Sequence, residues 1–483
     1  MRQTVRHESG RKRSRNTSRR AERNSEPDFP PGPHATRVWP NSESALDRPG
    51  GAFIFPRLLR LDIGVLRRGG NDIAGGKYIA ALEQVRANRP AYGDKSTVLY
   101  NLDVGLLFHY AGVPDSSTLY FFAAEKEIGE LYTKSISLAA ASILLNDNVL
   151  PYEGEDFEKV LVNVFLALNY AQKGEPDDAL VEARKVDEKL REYARQYEGK
   201  NKYSEDAFIR YVTGVLYESR GEINDAFIAY RRALETYRVY AKEYGTAAPS
   251  FLLDDLVRTA TLMSFDDEAA SYRAMGGKGF TAGGEPSGSV IVLAYSGRGP
   301  VKQEVRPTVS IPDEKGVIHT FQVALPKFVA RHQPGRRYSV DVRQGGGGTP
   351  VNATTEVAED VTAIAARTLE DRLSLVYLKS GGRALLKFLA SEKAKSEISK
   401  NSDNKLRNFL GSLAVDLTVA ATEQADVRTW RTLPAEFQIA RLDVAPGEYT
   451  VRVSSSDGKY VLPGEPVRVR AGKSTFLIVD DVR

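Results

Sequence analysis

From about residue 70 to about residue 245, apolar side chains recur at the three- and four-residue spacing of helices packed on one face. The clearest stretch runs from Ser204 to Arg238. Gly214 and Tyr217 lie on a first helix, Gly221 falls at a turn, and Ala226, Tyr230 and Ala233 lie on a second helix. The same offsets return at Leu166, Ala167, Tyr170, Gly174 and Ala179. They return again at Gly105, Phe108, Gly112, Phe121 and Ala124, and in part at Gly70, Gly75, Ile79 and Leu82. One more helical stretch, Phe251 to Phe265, leads into a glycine-rich segment, Gly276 to Gly288. Beyond it the period shortens to two. Val290–Ala294, Val305–Ile311, Ile318–Leu325 and Tyr338–Val342 read as strands. Helical spacing resumes over Thr355–Leu373, Arg383–Ile398 and Asn404–Thr422, and strands follow at Phe437–Leu442, Tyr449–Val453, Val467–Arg470 and Thr475–Val479.

Small residues where two helices cross closely, aromatic residues beside them and a glycine where the chain reverses are the requirements of a tetratricopeptide-like helix–turn–helix unit. The turn glycines are further apart than the ~34 residues of the plain repeat, so the array is extended and irregular. The pattern predicts an α+β multidomain chain: a tetratricopeptide-like α-solenoid followed by a β-sandwich-like domain with a helical insertion. The expected divisions are a disordered basic tail at 1–50, a helical array at 70–270, a Gly-rich linker at 271–287, and a β-rich domain at 288–483 with its insertion at about 355–424. Two separate small β domains are the alternative arrangement.

Charge changes the picture only when divided along the chain. The net charge is +4 over 483 residues, but residues 1–20 hold eight Arg or Lys against the single acid Glu8, so the remainder is mildly acidic. No folded part is marked as a nucleic-acid binder, and no nucleic acid is expected as a partner. The absence of cysteine removes disulfides, thiolate metal sites and thiol catalysis. The longest apolar candidate, Ser135 to Leu145, is too short to span a bilayer. No apolar stretch follows the basic residues of the N-terminus, which gives an expectation of no secretory signal.

Motifs of catalytic type are weak. Ala471-Gly472-Lys473-Ser474-Thr475 is similar to the end of a phosphate-binding loop. However, Val467 stands where that loop needs glycine, and the segment lies between strands instead of opening a helix. The run Gly345 to Gly348 reads as a loop. The five histidines (His7, His34, His109, His319 and His332) have no metal-ligand spacing, and neither a metal nor a cofactor is expected.

More informative are the positions facing the concave side of the array: Leu99, Leu102, Leu106 and His109, then Leu161, Val164, Leu168 and Ala171, then Phe208, Tyr211, Val215 and Glu218. An open groove so apolar would be an unusually large exposed patch. The expectation is that later helices of the same chain or a partner segment fill it, with Leu102, Leu106, His109, Leu168, Tyr211, Val215 and Glu218 as binding candidates. Glu182 and Arg184 are expected to meet Asn101, Asp103 and Asn169 in a buried polar cluster that fixes helix register, with a ligand site as the other reading.

The chain resembles, over about residues 70 to 480, an uncharacterised family of bacterial tetratricopeptide-repeat lipoproteins. The likeness rests on Tyr100-Asn101-Leu102-Asp103, Pro151-Tyr152-Glu153-Gly154-Glu155-Asp156, Asn169-Tyr170, Val181-Glu182-Ala183-Arg184, and Ala425-Asp426-Val427-Arg428-Thr429-Trp430 with Leu433-Pro434-Ala435. The resemblance implies an exported, lipid-anchored envelope protein with no established activity. The sequence departs from it in having no cysteine to lipidate, so the compartment is the cell envelope or periplasm by resemblance, and cytoplasmic if the N-terminus is as written. Trp430 is expected to be buried and Arg428 to pair with an acid. These observations point to a non-enzymatic protein–protein interaction scaffold with a protein or peptide partner. The alternative is a hydrolase or binding module for cell-wall or carbohydrate ligands, whose carboxylates would come from Asp341, Glu356, Asp416 and Asp426.

Overall fold

The computed structural model describes residues 72–73, 75–142, 150–199, 201, 203–278, 287–312, 318–322, 324–331, 336–345, 349–372 and 424–482. The basic tail, the helices expected at Arg383–Ile398 and Asn404–Thr422, and Gly346–Gly348 lie outside the described residues. By chain contacts, Leu59–Arg483 is one compact unit.

A first helix, α1 (Tyr78–Ala87), leads into four antiparallel hairpins: α2 (Thr97–Tyr110) with α3 (Pro114–Ser142), α4 (Asp156–Lys173) with α5 (Pro176–Gln196), α6 (Ala207–Arg220) with α7 (Ile223–Glu243), and α8 (Phe251–Leu262) with α9 (Asp266–Ala274). Each hairpin packs on the next, so the tetratricopeptide-like character read from the repeat is present in the helices themselves. The α6–α7 unit shows why its sequence is as it is. Asp206 caps α6, its Oδ1 accepting from the Ile209 amide at 2.8 Å. Gly221 ends that helix at φ +82°, a left-handed conformation that an L side chain rarely adopts. A Cβ on Gly214 would sit 2.4 Å from the ring of Tyr230, so the absent side chain is what lets the two helices close.

The strands follow in the second half. The first sheet has the order β12 (Ser474–Asp481), β1 (Gly288–Arg298), β9 (Pro434–Val444), β8 (Glu356–Asp360). β1 pairs in parallel with β12, whereas its pairing with β9 and that of β9 with β8 are antiparallel. The second sheet is antiparallel, ordered β11 (Val461–Val469), β10 (Gly447–Ser455), β6 (Tyr338–Gln344), β7 (Val351–Thr354). Two ribbons, β2 (Val301–Val305) with β5 (Leu325–Val329) and β3 (Thr308–Pro312) with β4 (Ile318–Gln322), complete the described strands.

Three expectations change. The strand expected over Val305–Ile311 is broken after Val305, near Pro307, which has no amide to donate. The strand expected over Ile318–Leu325 is likewise two strands, β4 and β5. The helix expected from Thr355 begins only at 361, because Glu356–Asp360 pairs with β9. Asp360 marks the change, its Oδ1 accepting from the Ala363 amide at 2.8 Å as an N-cap.

The first sheet is covered on both sides. Val290, Val292 and Ala294 of β1 join Tyr338, Val340, Val342, Val451 and Val453 in a core between the two sheets. The alternate residues Ile291, Leu293 and Tyr295 join Phe437, Ile439 and Trp430 in the same core as the helices. Ten of the eleven β1 residues are buried, as a strand covered on both faces requires. The helical array and the strands, which the sequence divides at 271–287, therefore share one core.

Candidate functional site

The residues expected to line an open groove are interior. Leu102, Leu106, Leu168, Tyr211 and Val215 are each no more than 1% exposed, and the surface that covers them is the first sheet of the same chain. Phe165 lies at the centre, its ring 5.9 Å from that of Tyr295, 5.6 Å from Phe437 and 5.7 Å from Trp430, while Phe208 meets Phe437 at 5.2 Å. The apolar face is thus covered by that sheet, with Val361, Ile364, Ala365 and Leu369 of the later helical residues 361–372 in the same core, and these side chains are packed against their own chain where an open groove would offer them to a peptide.

His109 belongs to the same seam. Its Nδ1 is 2.6 Å from Asn169 Oδ1 and its Nε2 is 2.8 Å from the Tyr295 hydroxyl. The Asn169 amide nitrogen donates to Ser117 and Thr118, so Oδ1 accepts and the histidine proton is on Nδ1. Nε2 then accepts from Tyr295. Burial lowers the imidazole to about 4, opposed by the Asn169 hydrogen bond, and the neutral ring bridges α2, α4 and β1.

Glu218 anchors a second seam. Arg441 of β9 reaches Glu218 and Asp255 at 3.1 Å, Asp443 at 3.2 Å and Ser289 at 2.9 Å. Arg258 pairs with Glu218 and with Asp255. Tyr211 and Tyr230 donate to Asp255 and Glu218 at 2.9 and 2.8 Å. Two guanidinium groups thus face three carboxylates, of which Asp255 is buried, Glu218 partly buried and Asp443 partly exposed. Burial raises Asp255 to about 7 even though Arg441 lowers it, so the surplus negative charge is relieved there. Burial opposes the Arg441 charge, yet Asp255 and Asp443 hold its pKa well above the ordinary guanidinium value. The Lys473-Ser474 segment of the phosphate-loop-like run docks beside this cluster. Lys473 donates to the Ser219 carbonyl at 2.7 Å and the Ser474 amide to Ser219 Oγ at 3.2 Å.

The Asp426–Trp430 block forms the third seam. Arg428 grips Asp426 through Nε and Nη2 at 2.9 and 2.7 Å, lies 5.3 Å from the centre of the Tyr152 ring, and donates to the carbonyls of Leu150 and Lys95. Trp430 is fully buried. Its backbone amide and the Thr429 hydroxyl both donate to Glu158 Oε1, at 2.8 and 3.0 Å, while its indole donates to Thr432 at 2.9 Å, which in turn donates to Asp103 at 2.8 Å. Burial raises Asp103 to about 6 against the hydrogen bonds from Thr432 and Tyr92. Glu155 is half-buried, but Lys302 at 2.7 Å and Arg372 at 3.1 Å hold its carboxyl down at about 2.

Asp103, Tyr152, Glu155, Asn169, Asp426, Arg428 and Trp430, all within the segments that carried the resemblance, therefore gather along the contact of helices and sheet. Glu182 is buried but does not join Asp103 and Asn169. It accepts from Asn163 at 2.7 Å and pairs with Lys185 at 2.9 Å between α4 and α5. Arg184 is exposed and outside that cluster, because a helix turns successive side chains through about 100°.

A buried acid pair was invisible in the sequence. Asp206, which caps α6, lies beside Glu359 of β8, and burial raises both carboxyls, Glu359 well above its ordinary value. Of the acids considered for hydrolysis, Glu356 binds the amide and hydroxyl of Ser250, Asp426 is held by Arg428, and Asp341 stands across from Arg452 in the pairing of β6 with β10. These contacts share no residue, and Asp416 lies outside the described residues. Among the described residues no group of three or more His, Asp or Glu could hold a metal ion, and no helix is long and apolar enough to cross a membrane.

No protein-family model and no curated protein matches the chain. Solved structures do match part of it. A chain described as MamA AMB-1 is 17% identical with a TM-score of 0.27, covering 44% of this chain and 87% of its own length. A tetratricopeptide repeat protein from Parabacteroides merdae ATCC 43184 is 11% identical with a TM-score of 0.16, covering 45% and 94%.

Proposed function

We propose that this chain is a non-enzymatic protein–protein interaction scaffold in which the hairpins form a short solenoid and the two four-stranded sheets a β-sandwich set into its concave face. The observation that supports this reading is the filled apolar face. A sheet of the same chain, fixed by the His109, Arg441 and Trp430 seams, makes helices and strands one body, and the outward helix faces are left to meet a partner. The polar groups at those seams hold one another, a use that calls for no reacting ligand. A place in the bacterial cell envelope follows from the sequence resemblance alone.

The test is capture of partners from the native organism with the full chain, followed by reconstitution of each candidate from purified components and, in parallel, assay of cell-wall glycans as substrates. A purified protein that rebinds stoichiometrically, with no sugar released, is the expected result. Release of sugars by a chain that rebinds no protein would overturn the reading in favour of the hydrolase.

A further inference from the structure

Strand β8 and the helical residues 361–372 that follow it form one edge of the first sheet. Among the described strands of that sheet β8 pairs with β9 alone, over five residues, and it slips register between Val357 and Glu359. The segment is fastened to the helices instead. The Tyr237 hydroxyl of α7 donates to the Ala358 carbonyl at 3.1 Å, and the amide and hydroxyl of Ser250 donate to Glu356 at 2.9 and 2.6 Å. Ala358, Val361, Ile364, Ala365 and Leu369 are buried in the common core.

The remaining fastening is a pair of acids. Asp206 at the start of α6 and Glu359 of β8 are 0% and 1% exposed. Asp206 accepts from the Ile209 amide through Oδ1 at 2.8 Å and from the Tyr203 hydroxyl through Oδ2 at 2.9 Å. Its carboxyl is also hydrogen-bonded to that of Glu359, whose Oε2 is buried with no partner. Two carboxylates have no hydrogen to place between them, so this contact requires one proton on the pair. Among the described residues, the groups that face the pair are Tyr203 and Arg210 beside Asp206, Tyr237 and Tyr240 of α7, Tyr244 after it, and Glu356 and Asp360 of β8. Arg210 is the one cation of that set, and it is shared with Asp187 at 3.2 Å and Glu205 at 3.5 Å. Without the proton, two negative charges would lie out of water beside a single shared counter-charge, a costly arrangement that moving the edge segment relieves.

We propose that residues 356–372 are a proton-held latch, closed on α6 and α7 while the Asp206–Glu359 pair carries one proton and lifted from them when that proton leaves. Opening leaves the hairpins packed on β1 and β9, and bares the β9 edge that β8 covers. The latch goes beyond the scaffold reading and does not depend on it.

The experiment is hydrogen exchange of the full chain, followed by mass spectrometry on peptides covering 356–372 and β1, at pH values rising from 4.5 and corrected for the intrinsic pH dependence of amide exchange. Residues 356–372 are expected to be at least about tenfold less protected than β1, because they open without the rest of the core. Their protection is expected to fall by up to about tenfold per pH unit, as opening releases one proton. Glu359→Gln puts an amide donor against Asp206 with no proton to lose, and its protection is expected to change by less than about twofold per pH unit. Tyr237→Phe removes the bond to the Ala358 carbonyl and is expected to lower protection of the segment by about 2- to 10-fold at every pH, with the parent's slope retained. Equal protection of 356–372 and β1 at every pH would overturn the latch, since opening would then belong to the whole core. A parent slope no steeper than that of Glu359→Gln, or a parent segment whose protection does not vary with pH, would overturn it as well.

Discussion

At the scale of single residues, the chain is organised by buried polar groups whose partners come from distant sequence. Trp430 packs on Phe121 and Phe165 with ring centres 5.8 and 5.7 Å apart while its amide is tied to Glu158. Trp430→Ala leaves a cavity and removes the indole donor, and should cost about 3–5 kcal/mol in chemical denaturation; an unchanged midpoint would show that the ring is not structural. The Asp206–Glu359 pair gives a pH prediction. Both carboxyls are raised in the folded state, so folding takes up a proton and stability is lost as pH rises from the ordinary glutamate value of 4.5 through the folded one. Glu359→Gln supplies an uncharged side chain with no proton to lose. As pH rises above 4.5 the parent should therefore lose stability relative to this variant, by up to about 1.4 kcal/mol per pH unit for one proton. Parallel stability curves would contradict a proton held there. Trp430 and the Asp426–Arg428 pair were legible because a rare aromatic and two opposite charges lie within a few residues. The acid pair was not, since Asp206 and Glu359 are far apart in the chain and Glu359 falls within the helix expected over Thr355–Leu373.

At the scale of elements, what could be read was what is locally determined. The α6–α7 hairpin follows from Gly214, Gly221, Ala226 and Tyr230, because close helix crossing needs those sizes at those offsets. Gly214→Ala should destabilise by about 1–3 kcal/mol through overpacking on Tyr230, and Tyr230→Leu in the same chain should recover part of it. Additive costs in the double variant would mean that the ring does not set the approach of the two helices. Strand β8 escaped because its identity comes from pairing with β9 and not from its own spacing, and only Asp360 signalled the start of the helix. β9 also carries Arg441, which is 3% exposed at its side chain and is the shared partner of Glu218 and Asp255. Arg441→Met leaves buried carboxylates short of a counter-charge, and should lower stability by about 3–5 kcal/mol near neutral pH. The loss should shrink on acidification, as Asp255, raised to about 7, takes up its proton. A loss independent of pH would place the cost in packing alone.

At the scale of the whole molecule, helices and strands are two patterns in sequence and one core in structure. The excess of apolar residues on the concave side of the array was legible, and it required a cover. The identity of that cover was not legible, because a groove records its need for apolar surface without recording which surface arrives. The hint lay in β1: Val290-Ile291-Val292-Leu293-Ala294-Tyr295 is apolar on both alternating faces, which demands a layer on each side of its sheet. If Ile291, Leu293 and Tyr295 share one core with Leu102, Phe165 and Tyr211, neither layer can lose its order while the other keeps it. Two signals report the layers separately: far-ultraviolet circular dichroism, dominated by the hairpins, and the fluorescence of Trp430 in a Trp39→Phe background, which leaves that indole as the sole tryptophan. The two denaturation curves should coincide within error, as a single cooperative transition requires. A fragment ending at residue 278 should expose the concave face, bind an apolar dye and self-associate on gel filtration. Separate transitions, or a monomeric fragment with a sharp melt of its own, would show that the sheet rests on the array without completing its core.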